Sequence, residues 1–136
     1  HSVNASAFAQ AGRAIPRYGT THADFSYTEV PCTPALTKEE VKTEYELNTG
    51  KVIVKYFKEN NLDTASTPAV LVRSHAPFAF GKTASDAVHN AAVLEIVAEM
   101  AIKTEIIGGK VAEIDNYLSD KHYFRKHGKD AYYGQK

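Results

Sequence analysis

Val70-Leu71-Val72-Arg73-Ser74-His75-Ala76-Pro77-Phe78-Ala79-Phe80-Gly81 is the stretch whose reading decides the fold. Val70 to Val72 read as a core strand, because consecutive branched apolar residues favour extended, buried backbone, and Pro77 and Gly81 are expected to close it. His75 then sits at the rim where strand becomes loop. An imidazole held there can be a metal ligand or a general base, since it offers a lone pair at neutral pH. It can equally be a polar cap on a strand end. The local sequence leaves these alternatives open.

Helices are expected on either side of that strand. Before it, Ser2 is placed to N-cap a short helix from Val3 to Ala11 that stops at Gly12. His1 stands at its entrance. Thr37-Lys38-Glu39-Glu40 is a capping box that opens a helix, with Asn48-Thr49-Gly50 as an interruption. A second helix carries Val52, Ile53, Tyr56 and Phe57 as one apolar stripe and frays at Asn60-Asn61. After the strand, Thr83 and Asp86 open the longest helix, which runs to about Ile107 before Gly108-Gly109. Its expected apolar positions are Val88, Ala91, Ala92, Ile96 and Met100, against a polar ridge of Glu95, Glu99 and Lys103. A last helix from about Ala112 carries Ile114 and Leu118 inward and ends at Gly128. Between these, Ile15-Pro16 is a turn or short strand start. Tyr18 to Asp24 has neither a helix nor a strand period. Glu29 to Pro34 is at best an edge strand, because prolines cannot donate ladder hydrogen bonds. Strands mixed with helices on a small chain point to a layered α/β or α+β domain.

At 136 residues the chain is one domain's worth of sequence, with a formal net charge of zero. Bulk electrostatics therefore favour neither nucleic acid nor an anionic membrane as partner. No apolar run approaches a membrane span. Cys32 is the single cysteine, so no internal disulfide forms and a reducing compartment, the cytoplasm, fits.

Several polar residues carry both a bland and a chemical reading. Asp24, two residues after His22, is either a turn residue bonding its own backbone or a general acid/base carboxylate. His89 falls among Ala92, Val93 and Ile96 and reads as a packed histidine at a helix or subunit contact. His122 and Arg125 are three apart on the expected inward face of the last helix. An inward His and Arg suit an anionic or hydroxylated ligand. Lys126 and His127 are accounted for by the helix macrodipole, which cations at a C-terminus complement. Tyr132 and Tyr133 near the chain end are packing anchors or sources of a phenolic proton.

Four motifs and a tail are shared with a known family. They are Gly19-Thr20-Thr21-His22-Ala23-Asp24, Val72-Arg73-Ser74-His75-Ala76-Pro77-Phe78, Asp86-Ala87-Val88-His89-Asn90-Ala91, Lys121-His122-Tyr123-Phe124-Arg125-Lys126-His127-Gly128, and Ala131-Tyr132-Tyr133-Gly134-Gln135. The chain resembles the class II aldolase (aldolase/adducin) family over its whole length. The Thr-Thr-His-Ala-Asp run and the Tyr-Tyr-Gly-Gln tail point to its sugar-phosphate 4-epimerase branch.

The resemblance implies an α/β/α layered fold with a mostly antiparallel central sheet, and a homo-oligomer, a tetramer in that branch. It implies a divalent metal, zinc above all, held by three histidines. His1 aligns with the second histidine of a His-x-His pair and His75 with the third ligand. Three imidazoles with open positions make a catalytic rather than a structural site. Asp24 and Tyr133 align with the acid/base carboxylate and tyrosine, which in the family act across a subunit interface. His122 aligns with a further catalytic histidine, and Arg125 is carried as a substrate-binding neighbour. The implied reaction interconverts L-ribulose 5-phosphate and D-xylulose 5-phosphate by cleaving and rebuilding the C3–C4 bond. C4 is not acidic, so simple deprotonation does not invert it. Two alternatives share the fold: a class II sugar-phosphate aldolase, and a non-catalytic interaction domain like the adducin head.

The resemblance also implies that residues 1–136 are the C-terminal part of a single domain. The first histidine of the pair, a Gly/Ser-rich phosphate loop and part of the sheet precede His1 in the family. That N-terminal part is therefore an expected partner, and the stretch alone is expected to be inactive.

Overall fold

The computed structural model describes residues 1–134. Helix α1 spans Val3–Ala11 and stops at Gly12, whose φ of 66° is the left-handed conformation that ends helices. Helix α2 is short, Thr20–Phe25, and α3 (Lys38–Lys42) runs into α4 (Tyr45–Glu59). Strands β1 (Ala69–Leu71) and β2 (Pro77–Ala79) follow, then the long α5 (Ala84–Gly108) and α6 (Asn116–Lys126).

The decisive stretch is a hairpin rather than one strand. β1 and β2 pair antiparallel, with Val70 opposite Phe78 and Leu71 opposite Pro77. Pro77 therefore opens the second strand instead of closing the first. The first residue of a strand is one of the few ladder positions that tolerates a missing N–H. The turn between them places Ser74 at φ 61°, and the His75 N–H donates to Val72 O at 2.9 Å.

Side-chain alternation along β1 builds the layers. Ala69 and Leu71 join a core with Ala5, Phe8 and Ala9 of α1 and Leu94, Val97, Ala98 and Ala101 of α5. Val70 and Val72 point the other way, onto Ile53 and Phe57 of α4. A strand covered on both faces is apolar at every position, which is why Val70-Leu71-Val72 shows no alternation. Helices thus flank the hairpin on both faces, the α/β/α arrangement expected. The sheet among the described residues is smaller than expected: two strands, extended by bridges from Ile15 to Val30 and from Cys32 to Leu71. Leu71 is fully buried, and its truncation to alanine would cost roughly 2–5 kcal/mol.

Four helix expectations need correction. Asn48-Thr49-Gly50 does not interrupt a helix; it lies inside α4, and the break falls at Thr43. Asn48 Nδ2 donates back to Glu40 O at 2.9 Å and Thr49 Oγ1 to Tyr45 O at 2.8 Å, so their polar groups are satisfied within helical backbone. Thr20 to Asp24 is helical despite lacking a period, because Ala23 and Phe25 pack inward and tertiary burial outweighs weak local propensity. On α5 the buried stripe is Leu94, Val97, Ala98 and Ala101, a clean i, i+3, i+4, i+7 set, while Val88 is 71% exposed. On α6 the buried residues are Ser119 and Tyr123, not Ile114 and Leu118, and the helix begins only at Asn116. Both capping boxes, Thr37 with Glu40 and Thr83 with Asp86, are formed. No helix among the described residues is long and apolar enough to cross a membrane.

Candidate active site

The structure assembles the expected residues into two groups that share no member. The first surrounds His75. Its imidazole lies 5.2 Å, centroid to centroid, from that of His1, edge to face at 63°. Tyr45 Oη lies 3.0 Å from His75 Nδ1, and Phe78 stacks on the ring at 6.0 Å. Tyr45 had no signal in the sequence. It reaches His75 only because α4 covers the face of the hairpin on which Val70 and Val72 lie.

This pair can be tested against a metal site. A metal bonded at about 2.05 Å lies about 3.2 Å from an imidazole centroid, so a tetrahedral angle separates two centroids by roughly 5 Å. The observed spacing fits. With His75 Nδ1 engaged by Tyr45, Nε2 is the nitrogen left to face a metal, the usual division of labour for a ligating histidine. The donor set stops at two imidazoles: no group of three or more metal-ligating side chains occurs among the described residues. His1 and His75 are thus two imidazoles that could face one metal, where the resemblance implies three.

The second group surrounds Asp24, which α2 delivers against α6. Arg125 grips the carboxylate, with Nη2 3.0 Å from Oδ2 and Nε 3.3 Å from Oδ1. His122 Nδ1 lies 3.1 Å from Oδ1 and Lys126 Nζ 3.6 Å from Oδ2. His127 Nε2 donates to the backbone oxygen of Asp24 at 3.1 Å and the ring stacks on Tyr123 at 4.3 Å. Burial by itself would raise the Asp24 pKa, but the hydrogen bonds from Arg125 and His122 and the Lys126 charge outweigh it and hold the carboxyl below its ordinary range. It is an ionised carboxylate at neutral pH. Lys126 and His127, expected only to complement the macrodipole, belong to this cluster.

Tyr133 joins the same group. Its N–H donates to Arg125 O at 2.9 Å, and the Arg125 guanidinium lies 4.2 Å over its ring. Arg125 thus touches the carboxylate through its nitrogens and the phenol through its face. Lys121 lies 5.4 Å over the ring of Tyr132, which is largely exposed. Gln135 of the tail motif lies outside the described residues.

His22 stays out of both groups. It is 2% exposed, and its Nε2 donates to Thr28 O at 2.9 Å. Burial drives its pKa down to about 4, so it is a neutral, structural histidine. His89 is not packed within the single chain, which leaves the subunit contact of its two expected settings. It is exposed and lines a cleft of about 570 Å³ with Thr21, Asp24, Asn90, Lys126 and His127. That volume is in the range of small-ligand sites.

The profile of the class II aldolase and adducin N-terminal domain matches residues 1–102. L-ribulose-5-phosphate 4-epimerase UlaF of Salmonella paratyphi C (strain RKS4594) is 55% identical over 136 residues, covering 100% of this chain and 59% of the relative. The UlaF protein of Salmonella typhi matches at the same identity and coverage. The chain thus spans 59% of the length of the curated relatives it matches. Among solved structures, an L-fuculose 1-phosphate aldolase superposes with a TM-score of 0.61 at 18% identity, over 87% of this chain and 49% of that one, a likeness of fold. With three quarters of its residues under one family profile, the chain belongs to the class II aldolase and adducin family.

Proposed function

We propose that this chain is the part of a divalent-metal-dependent sugar-phosphate 4-epimerase that carries its acid/base residues and two of its metal ligands. The reaction is the interconversion of L-ribulose 5-phosphate and D-xylulose 5-phosphate. The observation that carries this reading is the pairing of an ionised Asp24, held by His122 and Arg125 beside Tyr133, with two imidazoles spaced for one metal. The relatives, L-ribulose-5-phosphate 4-epimerases by name, support the same reaction class.

His1 and His75 would hold the metal, zinc by preference for imidazole donors, and Tyr45 would orient His75. A metal there supplies Lewis-acid stabilisation of the negative charge that breaking a C–C bond leaves on the substrate. The remaining steps belong to the side chains. Asp24 takes the proton of the C4 hydroxyl as the C3–C4 bond breaks. The C4–C5 half becomes an aldehyde, and the bond's electron pair stays on the C1–C3 half. The aldehyde turns its other face, the bond re-forms, and the Tyr133 Oη gives a proton to the C4 oxygen from the opposite side; the proton held by Asp24 then passes through solvent to the Tyr133 phenolate, which restores both groups. His122 and Arg125 keep Asp24 charged and aimed, and Arg125 with Lys126 offers positive charge to a phosphorylated sugar. Because the aligned carboxylate and tyrosine act across a subunit interface in the family the chain resembles, we place the two groups in one site by assembly of copies. A homo-oligomer, with a tetramer as the favoured form, would bring Asp24 and Tyr133 of one copy to the imidazoles of the next.

The runner-up is a class II sugar-phosphate aldolase, supported by the fold of the L-fuculose 1-phosphate aldolase. The adducin-like interaction reading ranks below both, since His1, Asp24, His75 and Tyr133 are all in place. The test is an assay of the protein at the full length of its relatives, with L-ribulose 5-phosphate and added zinc. Formation of D-xylulose 5-phosphate without free aldehyde supports the epimerase; released glycolaldehyde phosphate supports the aldolase. Neither product sinks both. Residues 1–136 alone are expected to give neither, with two ligands where catalytic zinc takes three.

A further inference from the structure

Helix α1 is the frame on which both candidate ligands are hung, and its own N-terminus is held by a residue far away in sequence. Ser2 occupies the N-cap position, yet its side chain makes no cap hydrogen bond, and the first turn contains no acidic residue. The orphan donors go to Glu95 of α5 instead. Glu95 Oε1 accepts from the Asn4 N–H at 2.7 Å and from Asn4 Nδ2 at 2.8 Å, and Oε2 accepts from the Ala5 N–H at 2.9 Å. These are the second and third helical N–H groups, the ones a side-chain cap ordinarily satisfies, and a carboxylate there also answers the positive end of the helix dipole. Burial raises the Glu95 pKa, but the Asn4 and Ala5 N–H groups outweigh it and hold the carboxyl below its usual range, so it is charged.

His1 is the residue immediately before that cap, so its backbone extends directly from the turn that Glu95 holds. At the other end of α1, Ala9 O accepts from the Ser74 N–H at 2.9 Å, one residue before His75. The spacing between the two imidazoles therefore depends on where α1 sits along α5 and the hairpin. Ala5 and Ala9 are fully buried and bring the backbones close, but apolar contact is non-directional and does not fix a helix against sliding. The two-pronged Glu95 bond does.

We propose that Glu95 is a positioning residue for the His1–His75 pair: it sets metal affinity by holding the first turn of α1 without touching the metal. This rests on the reading of that pair as metal ligands. The test uses the protein at the full length of its relatives, titrated with Co²⁺ as a spectroscopic probe and then with Zn²⁺ in competition. Thermal melting is recorded without metal. His75→Ala is the control for the underlying reading: it should abolish the cobalt spectrum. Glu95→Gln keeps the shape, loses the charge and can accept at one oxygen only. It should weaken Co²⁺ affinity about 10-fold or more and alter the ligand-field bands, as losses of supporting groups around metal ligands do. Glu95→Asp, which retains the charge at a shorter reach, should recover part of that affinity. If Glu95→Gln melts earlier but binds Co²⁺ with the parent's affinity and spectrum, Glu95 is merely structural and the proposal is overturned. If the parent binds no Co²⁺, or His75→Ala binds it unchanged, the metal reading itself fails and takes the proposal with it. Glu95→Ala is avoided because removing the cap outright risks unfolding α1.

Discussion

Arg125 holds Asp24 by both an Nη2–Oδ2 contact of 3.0 Å and an Nε–Oδ1 contact of 3.3 Å, across 101 residues of sequence. A guanidinium presents these donors as a planar fork, so the pair sets the direction of the carboxylate as well as its charge. The same guanidinium lies over Tyr133, which couples the two proposed proton carriers through one side chain.

The charge on Asp24 should be visible in the acid limb of stability. Its folded pKa lies below the unfolded value, with the Arg125 and His122 hydrogen bonds outweighing burial. A depressed carboxyl contributes stability that is present above the unfolded pKa of about 3.9 and is lost as pH falls through the lower folded value. Melting temperatures of the parent and Asp24→Asn measured from pH 7 to pH 3 should differ most at neutral pH and converge below about pH 4. A gap that stays constant over that range would show that the charge contributes nothing.

Tyr133→Phe separates the phenol's proton from its packing. The ring remains under Arg125, so melting temperature and metal content should match the parent. Epimerase kcat should fall about a hundred- to ten-thousand-fold, the usual worth of a general acid/base group. Near-normal turnover would remove Tyr133 from the mechanism.

His22 should impose a second, higher pH dependence. It is neutral and buried, with a pKa of about 4 against an ordinary value of 6.5. Below pH 6.5 the unfolded chain takes up a proton that the folded chain refuses. Stability from this residue is therefore full above pH 6.5 and declines as pH falls toward 4, by roughly 3 kcal/mol over that window. His22→Gln, which can still donate to Thr28 O, should flatten this limb. The His22 ring resonances should show no titration between pH 8 and pH 5 in an NMR series; a midpoint near 6.5 would contradict the burial argument.

Two glycines should respond in opposite directions to alanine. Gly50 lies inside α4 with nothing within 4 Å of an added Cβ, so Gly50→Ala should stabilise by about 0.5–1 kcal/mol in denaturant unfolding. A Cβ on Gly81 would collide with the backbone nitrogen of Ala87 in the first turns of α5, and Gly81→Ala should cost about 1–3 kcal/mol. If Gly50→Ala gives no gain, α4 is not continuous through that position in solution.

Local chemistry made a large part of this protein readable from its residues. Gly12 as a helix stop, both capping boxes, the long α5 and the buried character of Val70 to Val72 each depend on side chains acting within a few residues of themselves. The candidate residues of both groups were also readable, through motifs that resemble one family. Tertiary structure decided what no short window contains. Thr20 to Phe25 is a helix because α6 and α5 cover it, although six residues without a period would not hold a helix in water. Pro77 starts a strand because Leu71 stands opposite, and the buried face of α5 was chosen by what packs on it rather than by its most apolar residues. Glu95 looked like a solvent ridge and is the cap of α1; Tyr45 gave no sign that it would reach His75. Tyr45 meets His75 across 30 residues, Glu95 meets Ala5 across 90 and Arg125 meets Asp24 across 101. A hydrogen bond or ion pair across such distances is set by how helices and hairpin stack, a property of the whole packing that no single segment encodes.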